Sequence, residues 1–315
     1  ILNLFRVDKF GESEFWLSLF KVTALVAFSV VALLICLGLV GEEGYIGTRI
    51  LLGSGGFAPH GYWAIVLTMV IILVNFQGTE IIGLAAGETA DPARSIPTAV
   101  RNVTWRIIAL YIVPITLLIS ILPWDHASLS ESVFAAALAE HGFSHLAALF
   151  SFVVLTAAIS CSNSGLYGAA RTVHALATMG MAPRVLEGLS AKGVPSRAIY
   201  ASIVFCWGVI AIYAMNPHAA VYTYLLALSG FSGAVAWISI CWSQYRRRRR
   251  LEVEGQVDLL RYRMPFFPYV TLFGIWAQIF CLAFMIFMPE LRSALYLGVP
   301  MLVVPMILYR FLRRR

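Results

Sequence analysis

Charged residues are scarce in this chain of 315 residues. Asp, Glu, Lys and Arg make up 12% of the sequence, whereas soluble globular domains contain about 25%. Hydrophobic residues account for 60%. Such a chain has too few polar side chains to cover a soluble fold, so its composition predicts an integral membrane protein.

The cysteines and histidines lack the spacing that disulfide, metal or catalytic sites need. The five cysteines are odd in number, form no C-x-x-C pair and lie in apolar runs, so we interpret them as small buried hydrophobic residues. The six histidines lie in loops or near helix ends and form no constellation of the kind a membrane enzyme would need. We therefore expect no enzyme activity, no metal and no cofactor.

Long uncharged runs are the main feature that the chain does have. Most of these runs have a length that suits one membrane-spanning helix, which needs about 20 apolar residues. The run 198–245 is too long for one helix, and its turn signal Asn216–His218 divides it into two. The sequence thus predicts an all-α membrane protein with eight transmembrane helices, built around the uncharged runs 22–40, 61–79, 107–124, 146–170, 198–215, 221–245, 264–289 and 293–309.

Basic residues are concentrated on one side of this predicted bundle. Only Arg49 and Arg292 are assigned to the opposite side, and Lys21 lies inside the first helix. Because Lys and Arg accumulate in cytoplasmic loops, both ends of the chain are predicted to be cytoplasmic. We interpret the run Arg246–Arg250 as an anchor near anionic lipid and not as a nucleic-acid site.

Lys21 and Glu80 are the two charged residues that lie well inside predicted spans. A charge at the bilayer centre costs about 2.5–3.5 kcal/mol of insertion free energy. Each of these two residues is therefore expected to have a structural or functional role that offsets this cost. Lys21 lies seven residues past Glu14, which is about 10 Å along a helix. It can snorkel to the surface, or stay buried and carry a proton, since loss of water favours the neutral amine.

The polar stretch Asn75–Glu80 (NFQGTE) begins just past the middle of the second predicted span. Irregular backbone at that depth is tolerated only where it is buried in protein or lines a cavity. A helix broken there would offer carbonyls to an ammonium group and N–H groups to a carboxylate, the two ends of an α-amino acid. The alternative is a kink or a packing face, which suits the G-x-x-x-G of Gly83 and Gly87 but does not explain Glu80.

The fourth predicted helix carries a second polar group in SCSNSGLYGAAR. Ser160, Ser162 and Asn163 are secondary candidates for a site facing a cavity. Hydroxyls that bond back to their own helix are an equally good interpretation of each serine. In the sixth predicted helix, Leu226–Trp237 has the pattern of a small-residue packing face.

Several motifs resemble those of one transporter family. They are FGESEFWLSLFKV, NFQGTEIIGLAAGETADPARSIPTAVR, AISCSNSGLYGAAR, GMAPRV, GVPSRA and RYRMPFFP. With them the chain resembles the amino acid permeases of the amino acid–polyamine–organocation superfamily, in the branch of lysine, arginine and S-methylmethionine permeases. The resemblance extends over essentially the whole chain.

This resemblance implies a twelve-helix inverted-repeat transporter (5+5+2) with a broken helix near 75–80. Our first helix then matches the family's fifth, and we expect a fragment that lacks the first four helices. A start without Met or a signal-peptide pattern agrees with that expectation. The implied divisions are 1–40 (cytoplasmic start and last helix of the first repeat), 61–246 (second five-helix repeat) and 247–315 (cytoplasmic loop and final two helices).

The resemblance also assigns roles to residues. Carbonyls around Val74–Gly78 would hold the substrate's amino group, with Phe76 as a gate, and Lys21 matches a lysine of proton-coupled relatives. Glu80 and Glu88 match acids implicated in substrate recognition, although a role in the cytoplasmic exit or in a salt bridge suits Glu88 equally well. The implied substrate-binding residues are Asn75, Phe76, Gln77, Gly78, Thr79 and Glu80.

We therefore expect a secondary active transporter that imports an amino acid with protons across the plasma membrane. An amino acid exchanger without proton coupling is the alternative. The expected partners are an amino acid, protons and the lipid bilayer, with no nucleic acid. Basic amino acids or S-methylmethionine would suit the extra acid, but aromatic, proline and GABA permeases share the same framework.

Overall fold

A computed structural model describes residues 2–5, 7–41, 44–53, 56, 58–85, 91–127, 132–215, 219–260 and 262–312, and every regular element in these ranges is helical. The α-helices are α1 (Val7–Cys36), α2 (Arg49–Gly53), α3 (Tyr62–Ile72), α4 (Ile81–Ala85), α5 (Pro92–Ile107), α6 (Val113–Ile121), α7 (Val133–Glu140), α8 (Ser144–Thr178), α9 (Ser196–Met215), α10 (Ala219–Val253), α11 (Tyr269–Phe284) and α12 (Pro289–Leu312). Short 3-10 helices lie at Leu2–Leu4, Leu73–Phe76, Trp124–His126, Arg184–Glu187, Val257–Leu259 and Met285–Phe287.

Six stretches of helix in the described part of the chain are long and apolar enough to cross a membrane. They are Lys9–Cys36, Arg94–Ile121, Ser144–Thr178, Ser196–Met215, Tyr224–Val253 and Tyr269–Phe287. The apolar segment Ala294–Ile307 is shorter, and the predicted span 61–79 is interrupted because α3 ends at Ile72. The multi-pass helical class is confirmed, while the number eight and the 5+5+2 arrangement stay predictions.

The span Arg94–Ile121 begins well before the predicted run 107–124. Its first part, α5, is amphipathic, so it does not stand out by hydrophobicity alone. A π-helix (Ile108–Ile112) joins α5 to α6, and the Val113 N–H bonds to the Ile108 carbonyl five residues back. Pro114 follows at once and has no N–H to donate, which explains why the regular helical ladder is replaced here.

The chain divides into two compact units. Unit 1 comprises Ile1–Pro59, Gly83–Ala90 and Thr98–Val204, and unit 2 comprises His60–Ile82, Asp91–Pro97 and Phe205–Arg315. These boundaries follow packing, whereas the predicted divisions at 1–40, 61–246 and 247–315 describe an internal repeat. The repeat therefore stays a prediction.

The core of unit 1 lies where α1, α6, α7 and α8 meet. Phe28 of α1 is 1% exposed and contacts Phe134 and Phe150, with ring centroids 4.9 and 5.4 Å apart. Ala32 and Ala137 are fully buried, and their small side chains let the helices approach closely. This packing holds α8 along α1 and so brings the polar residues of the two helices together.

The core of unit 2 lies between α10, α11 and α12. Its buried residues are Ala227, Phe231, Met285, Leu291 and Ala294. Gly298 of α12 lies against the Phe231 ring, where a Cβ would overlap it. The α3 helix also packs on this group, with the Trp63 ring 5.2 Å from that of Phe284. Unit 2 thus fixes the start of α3 next to the end of α11.

The arginine run extends α10 instead of forming a loop, because the helix continues to Val253. Arg248 Nε lies 3.1 Å from Glu252 Oε1, and Arg250 Nε lies 2.7 Å from Glu254 Oε1. Such i,i+4 pairs of opposite charge favour the helical conformation. The glutamates offset part of the positive charge of the run.

Candidate functional site

The polar stretch 75–80 coincides with an interruption of helix in unit 2. The α3 helix ends at Ile72, a 3-10 helix covers Leu73–Phe76, and helix resumes at Ile81. Between them Gly78 has φ +105°, a conformation that residues with a Cβ rarely adopt. The last carbonyls of a helix have no partner within it, so the break leaves backbone acceptors within the predicted span 61–79.

Glu80 folds back onto the break. The Gly78 N–H donates to its carboxylate, with the nitrogen 3.0 Å from each oxygen. The Trp237 indole Nε1, from α10, donates to Glu80 Oε2 over 3.2 Å. The sequence assigned the N–H groups of the break to a substrate carboxylate, but in this structure the Gly78 N–H is bonded to the protein's own acid. Glu80 thus supports the broken backbone directly.

Gln77 attaches the break to α10 by two hydrogen bonds. Its Nε2 donates to the Ser229 carbonyl over 2.7 Å, and the Ser229 hydroxyl donates to Gln77 Oε1 over 2.9 Å. The Gln77 amide lies directly over Gly233, where a Cβ would overlap it. Ser229, Gly233 and Trp237 are spaced four residues apart and so line one face of α10. That face holds the break in place.

The structure also describes Asn75, Phe76 and Thr79 of this predicted stretch. Asn75 is exposed and Phe76 is half-buried. The Thr79 hydroxyl lies 3.5 Å from the Phe76 carbonyl. Glu88 lies outside the described residues.

Unit 1 contains a second polar group, which we call the α1–α8 cluster (Asn3, Glu14, Lys21, Ser160 and Asn163). Lys21 Nζ donates to the Ser160 hydroxyl over 2.8 Å, and that hydroxyl donates to Glu14 Oε2 over 2.7 Å. Ser160 is only 1% exposed. The hydroxyl therefore connects a basic and an acidic side chain in a protected position.

Two amides complete the α1–α8 cluster. Asn163 Nδ2 donates to Glu14 Oε1 over 2.6 Å. Asn3, which is 2% exposed, donates to the Asn163 side-chain oxygen over 2.8 Å and to its carbonyl over 3.0 Å. A buried charge is tolerated when it is paired and its hydrogen bonds are satisfied. This arrangement gives hydrogen-bond partners to both half-buried charged side chains on α1.

The structure thus brings Lys21, Ser160 and Asn163 together but leaves Ser162 apart. The Ser162 hydroxyl bonds back to the Ala158 carbonyl of its own helix over 2.9 Å. Sequence reasoning missed Asn3, Glu14, Ser229 and Trp237. Their spacing in the sequence could have indicated three of them. Glu14 is seven residues from Lys21, and Ser229 is eight residues from Trp237, so each pair lies on one face of its helix.

No group of three or more His, Cys, Asp or Glu side chains within the described ranges is placed to hold a metal ion. The cysteines described there are free thiols. The chemical groups gathered at the two sites are an amine, carboxylates, amides, a hydroxyl and backbone carbonyls. These groups suit the binding of a small polar molecule and the transfer of protons.

Known proteins resemble this chain along its whole length. The sequence model of the family described as amino acid permease matches residues 1–315. A gamma-aminobutyric acid permease of Bacillus subtilis is 36% identical over 315 residues, which cover 100% of this chain and 67% of that protein. The amino-acid permease RocC of the same organism is 36% identical over 307 residues, covering 96% and 65%.

A third relative is the lysine-specific permease LysP of Escherichia coli. It is 36% identical over 334 aligned residues, which cover 99% of this chain and 67% of that protein. The chain thus spans about two thirds of the length of the curated relatives it matches.

Proposed function

The chain belongs to the amino acid permease family, and from this premise we propose that the protein is a secondary active transporter that imports an amino acid together with a proton across the plasma membrane. Its relatives are named as permeases and not as enzymes. Six membrane-length helices in the described part of the chain suit such a multi-pass protein.

The observation that carries the proposal is the helix break beside α10. The α-amino group of the substrate would bind carbonyl oxygens at the end of α3 and in the 3-10 helix Leu73–Phe76, since a helix C-terminus carries partial negative charge. Phe76, half-buried next to these carbonyls, would cover the bound molecule. Glu80 would act mainly by holding this backbone, because its carboxylate already accepts from Gly78 and Trp237.

Proton coupling would depend on Lys21. The half-buried Lys21 side chain donates from its amine to the hydroxyl of Ser160, which is 1% exposed, so a basic group lies next to a protected hydroxyl. Lys21 would be protonated while the site loads from outside and deprotonated after it opens inward. Each transport cycle would then move one proton with one substrate molecule.

The names of the relatives do not determine which amino acid this protein transports. Those named for gamma-aminobutyric acid and for lysine are equally similar to this chain, at 36% identity. A mixed panel of amino acids is therefore the right starting point, and competition by single compounds then identifies the substrate.

The decisive experiment is uptake of a labelled amino acid panel into proteoliposomes with an imposed inward proton gradient. A gradient of one pH unit drives accumulation of up to about tenfold above equilibrium for one proton per substrate, because tenfold corresponds to about 1.4 kcal/mol. We expect Lys21→Ala to lose this accumulation.

Lys9→Ala is the matched control. Lys9 also lies on α1, but it is exposed and pairs with Glu12 at 3.2 Å, so accumulation should be unchanged. Wild-type uptake that only exchanges external for internal amino acid and ignores the gradient would instead favour the exchanger.

A further inference from the structure

The Ser160 hydroxyl occupies a special position in the α1–α8 cluster. A hydroxyl has one proton to donate and lone pairs to accept with. Here it donates to Glu14 and accepts from Lys21, over 2.7 and 2.8 Å. Both distances are in the ordinary range for short hydrogen bonds. The three side chains therefore form a continuous path from an ammonium group to a carboxylate.

We propose that Glu14 is the acceptor of the proton that Lys21 releases, and that Ser160 passes this proton between them. The proposal rests on the proposed role of Lys21 in proton coupling. It adds a second ionisable residue to the transport cycle and a positioning role for the asparagines. Glu14 becomes the last protein group that holds the proton before it leaves the membrane.

The transfer conserves atoms and charge. One N–H bond of the Lys21 ammonium breaks and an O–H bond forms on Ser160. The original Ser160 O–H bond breaks and an O–H bond forms on Glu14 Oε2. The result is a neutral amine, an unchanged hydroxyl and a neutral carboxylic acid, with both hydrogen bonds reversed in direction.

The balance between the two states depends on water. Two charges are replaced by two neutral groups, so a dry environment favours the transferred state and a wet one the ion pair. Closing the site over its substrate would push the proton towards Glu14, and opening it to water would let Glu14 lose the proton. The transfer is thereby linked to the opening and closing that transport requires.

Glu14 is well placed to deliver a proton to the cytoplasm. It lies seven residues nearer than Lys21 to the start of α1, which is predicted to be cytoplasmic. Its side chain is half-buried, between the enclosed Ser160 and the more exposed first turns of the helix. Asn163, itself held by Asn3, bonds to the other carboxylate oxygen and keeps Glu14 aimed at Ser160.

Few other ionisable groups face this path in the described part of unit 1. On α1, Lys9 and Glu12 are exposed and paired with each other. The α6 helix contains no ionisable residue and the π-helix before it contains only Tyr111. On α8, the Arg171 guanidinium lies 3.4 Å over the Tyr167 ring, and the His174 ring lies beside the Leu186 carbonyl. Among the ionisable side chains that the structure describes, Lys21 and Glu14 are the two shown to bond to the Ser160 hydroxyl.

The test compares two transport modes in proteoliposomes containing the protein expressed from its complete gene. Accumulation driven by a proton gradient needs the proton to be released, whereas counterflow of labelled against unlabelled amino acid does not. We expect Glu14→Gln and Ser160→Ala to lose accumulation by about tenfold at a gradient of one pH unit. Both should keep counterflow within about twofold of wild type, and the pH dependence of their uptake should flatten.

Ser160→Thr keeps a hydroxyl and should restore accumulation relative to Ser160→Ala. The matched controls are Glu12→Gln, an exposed acid on the same helix, and Ser151→Ala, whose hydroxyl bonds to the Ala147 carbonyl of its own helix over 3.1 Å. Both controls should accumulate substrate like wild type.

Three results would overturn the proposal in distinguishable ways. If Lys21→Ala loses accumulation while Glu14→Gln and Ser160→Ala keep it, the relay is wrong and the role of Lys21 stands. If Glu14→Gln and Ser160→Ala lose both counterflow and accumulation, the cluster has a purely structural role. If Lys21→Ala itself accumulates substrate, proton coupling through Lys21 is wrong and the relay is wrong with it.

Discussion

At the scale of single residues, two acids are held by different donors. Glu80 accepts from a backbone N–H and an indole N–H, neither of which can give up its proton. Glu14 accepts from a hydroxyl that is itself bonded to an ammonium group, and from an amide. The donors around Glu80 therefore suit a fixed structural anion, and the hydroxyl next to Glu14 suits proton movement.

We predict that Glu80→Gln weakens apparent substrate affinity while the protein still inserts into the membrane. Glutamine has one acceptor oxygen and no charge. The N–H groups of Gly78 and Trp237 therefore lose the negatively charged acceptor that they share in the wild type. A hydrogen bond to a charged group contributes about 1.5–3 kcal/mol, which corresponds to roughly 10- to 150-fold in affinity. The measurement is the concentration dependence of uptake, with membrane insertion checked in parallel.

Trp237→Phe is the companion variant, since it keeps the ring and removes only the N–H. It should weaken affinity in the same direction by a smaller factor. Normal affinity in Glu80→Gln would show that Glu80 neither contacts the substrate nor holds the break.

At the scale of helices, the broken span depends on its neighbour α10. A break in a spanning helix leaves polar backbone that lipid cannot satisfy. One face of α10 holds the side chains of the break, with Ser229 bonded to Gln77 and Trp237 bonded to Glu80, and Gly233 makes room between them. The break is therefore a property of two helices, and changes on α10 should act on it.

We predict that Gly233→Ala destabilises the protein and reduces substrate affinity. The new Cβ would overlap the Gln77 amide, so Gln77 would have to leave both of its bonds to Ser229. The amide can move aside because it is the flexible end of its side chain, so the cost is that of the lost hydrogen bonds, about 0.5–1.5 kcal/mol each. The measurements are the unfolding temperature in detergent and the affinity from uptake.

Gly208→Ala is the matched control, because Gly208 lies on α9 in the same unit and a Cβ there would meet nothing within 4 Å. An alanine at such a helical position should leave stability unchanged or raise it by up to about 1 kcal/mol. Equal behaviour of the two variants would contradict the proposed contact between Gly233 and the break.

At the scale of the whole molecule, the asymmetric distribution of arginine and lysine predicts the orientation in the membrane. The loop after α1 contains Arg49 and a highly exposed Tyr45, at 72%. The end of α10 carries Arg246–Arg250 and Glu252, and Glu254 directly follows the helix. The positive-inside rule places the first loop outside and the second region in the cytoplasm.

We predict that a cysteine at Tyr45 reacts with a membrane-impermeant maleimide added outside intact cells. A cysteine at Arg246 should react only after the membrane is permeabilised. Each is introduced into a variant whose five native cysteines are replaced by alanine. Labelling in the opposite order would reverse the predicted topology and would move Glu14 to the outer side.

Much of the fold could be predicted because membrane insertion depends on local composition. The apolar runs led to the spanning helices around α1, α8, α9, α10 and α11. The early start of Arg94–Ile121 could not be predicted from hydrophobicity, since α5 has a polar face. The continuation of α10 through the arginine run was missed for the same reason: helical pairing with Glu252 and Glu254 is not visible in a hydropathy pattern.

The sequence by itself determined the membrane class, the resemblance to amino acid permeases, the polar stretch at 75–80 and the unusual position of Lys21, because composition and motifs are local properties of the chain. Only the tertiary structure decided which residues are partners. Ser160 lies 139 positions from Lys21, and Trp237 lies 157 positions from Glu80. Such pairs form only when helices pack at a particular rotation and depth, which depends on the summed contacts of apolar side chains along their whole length.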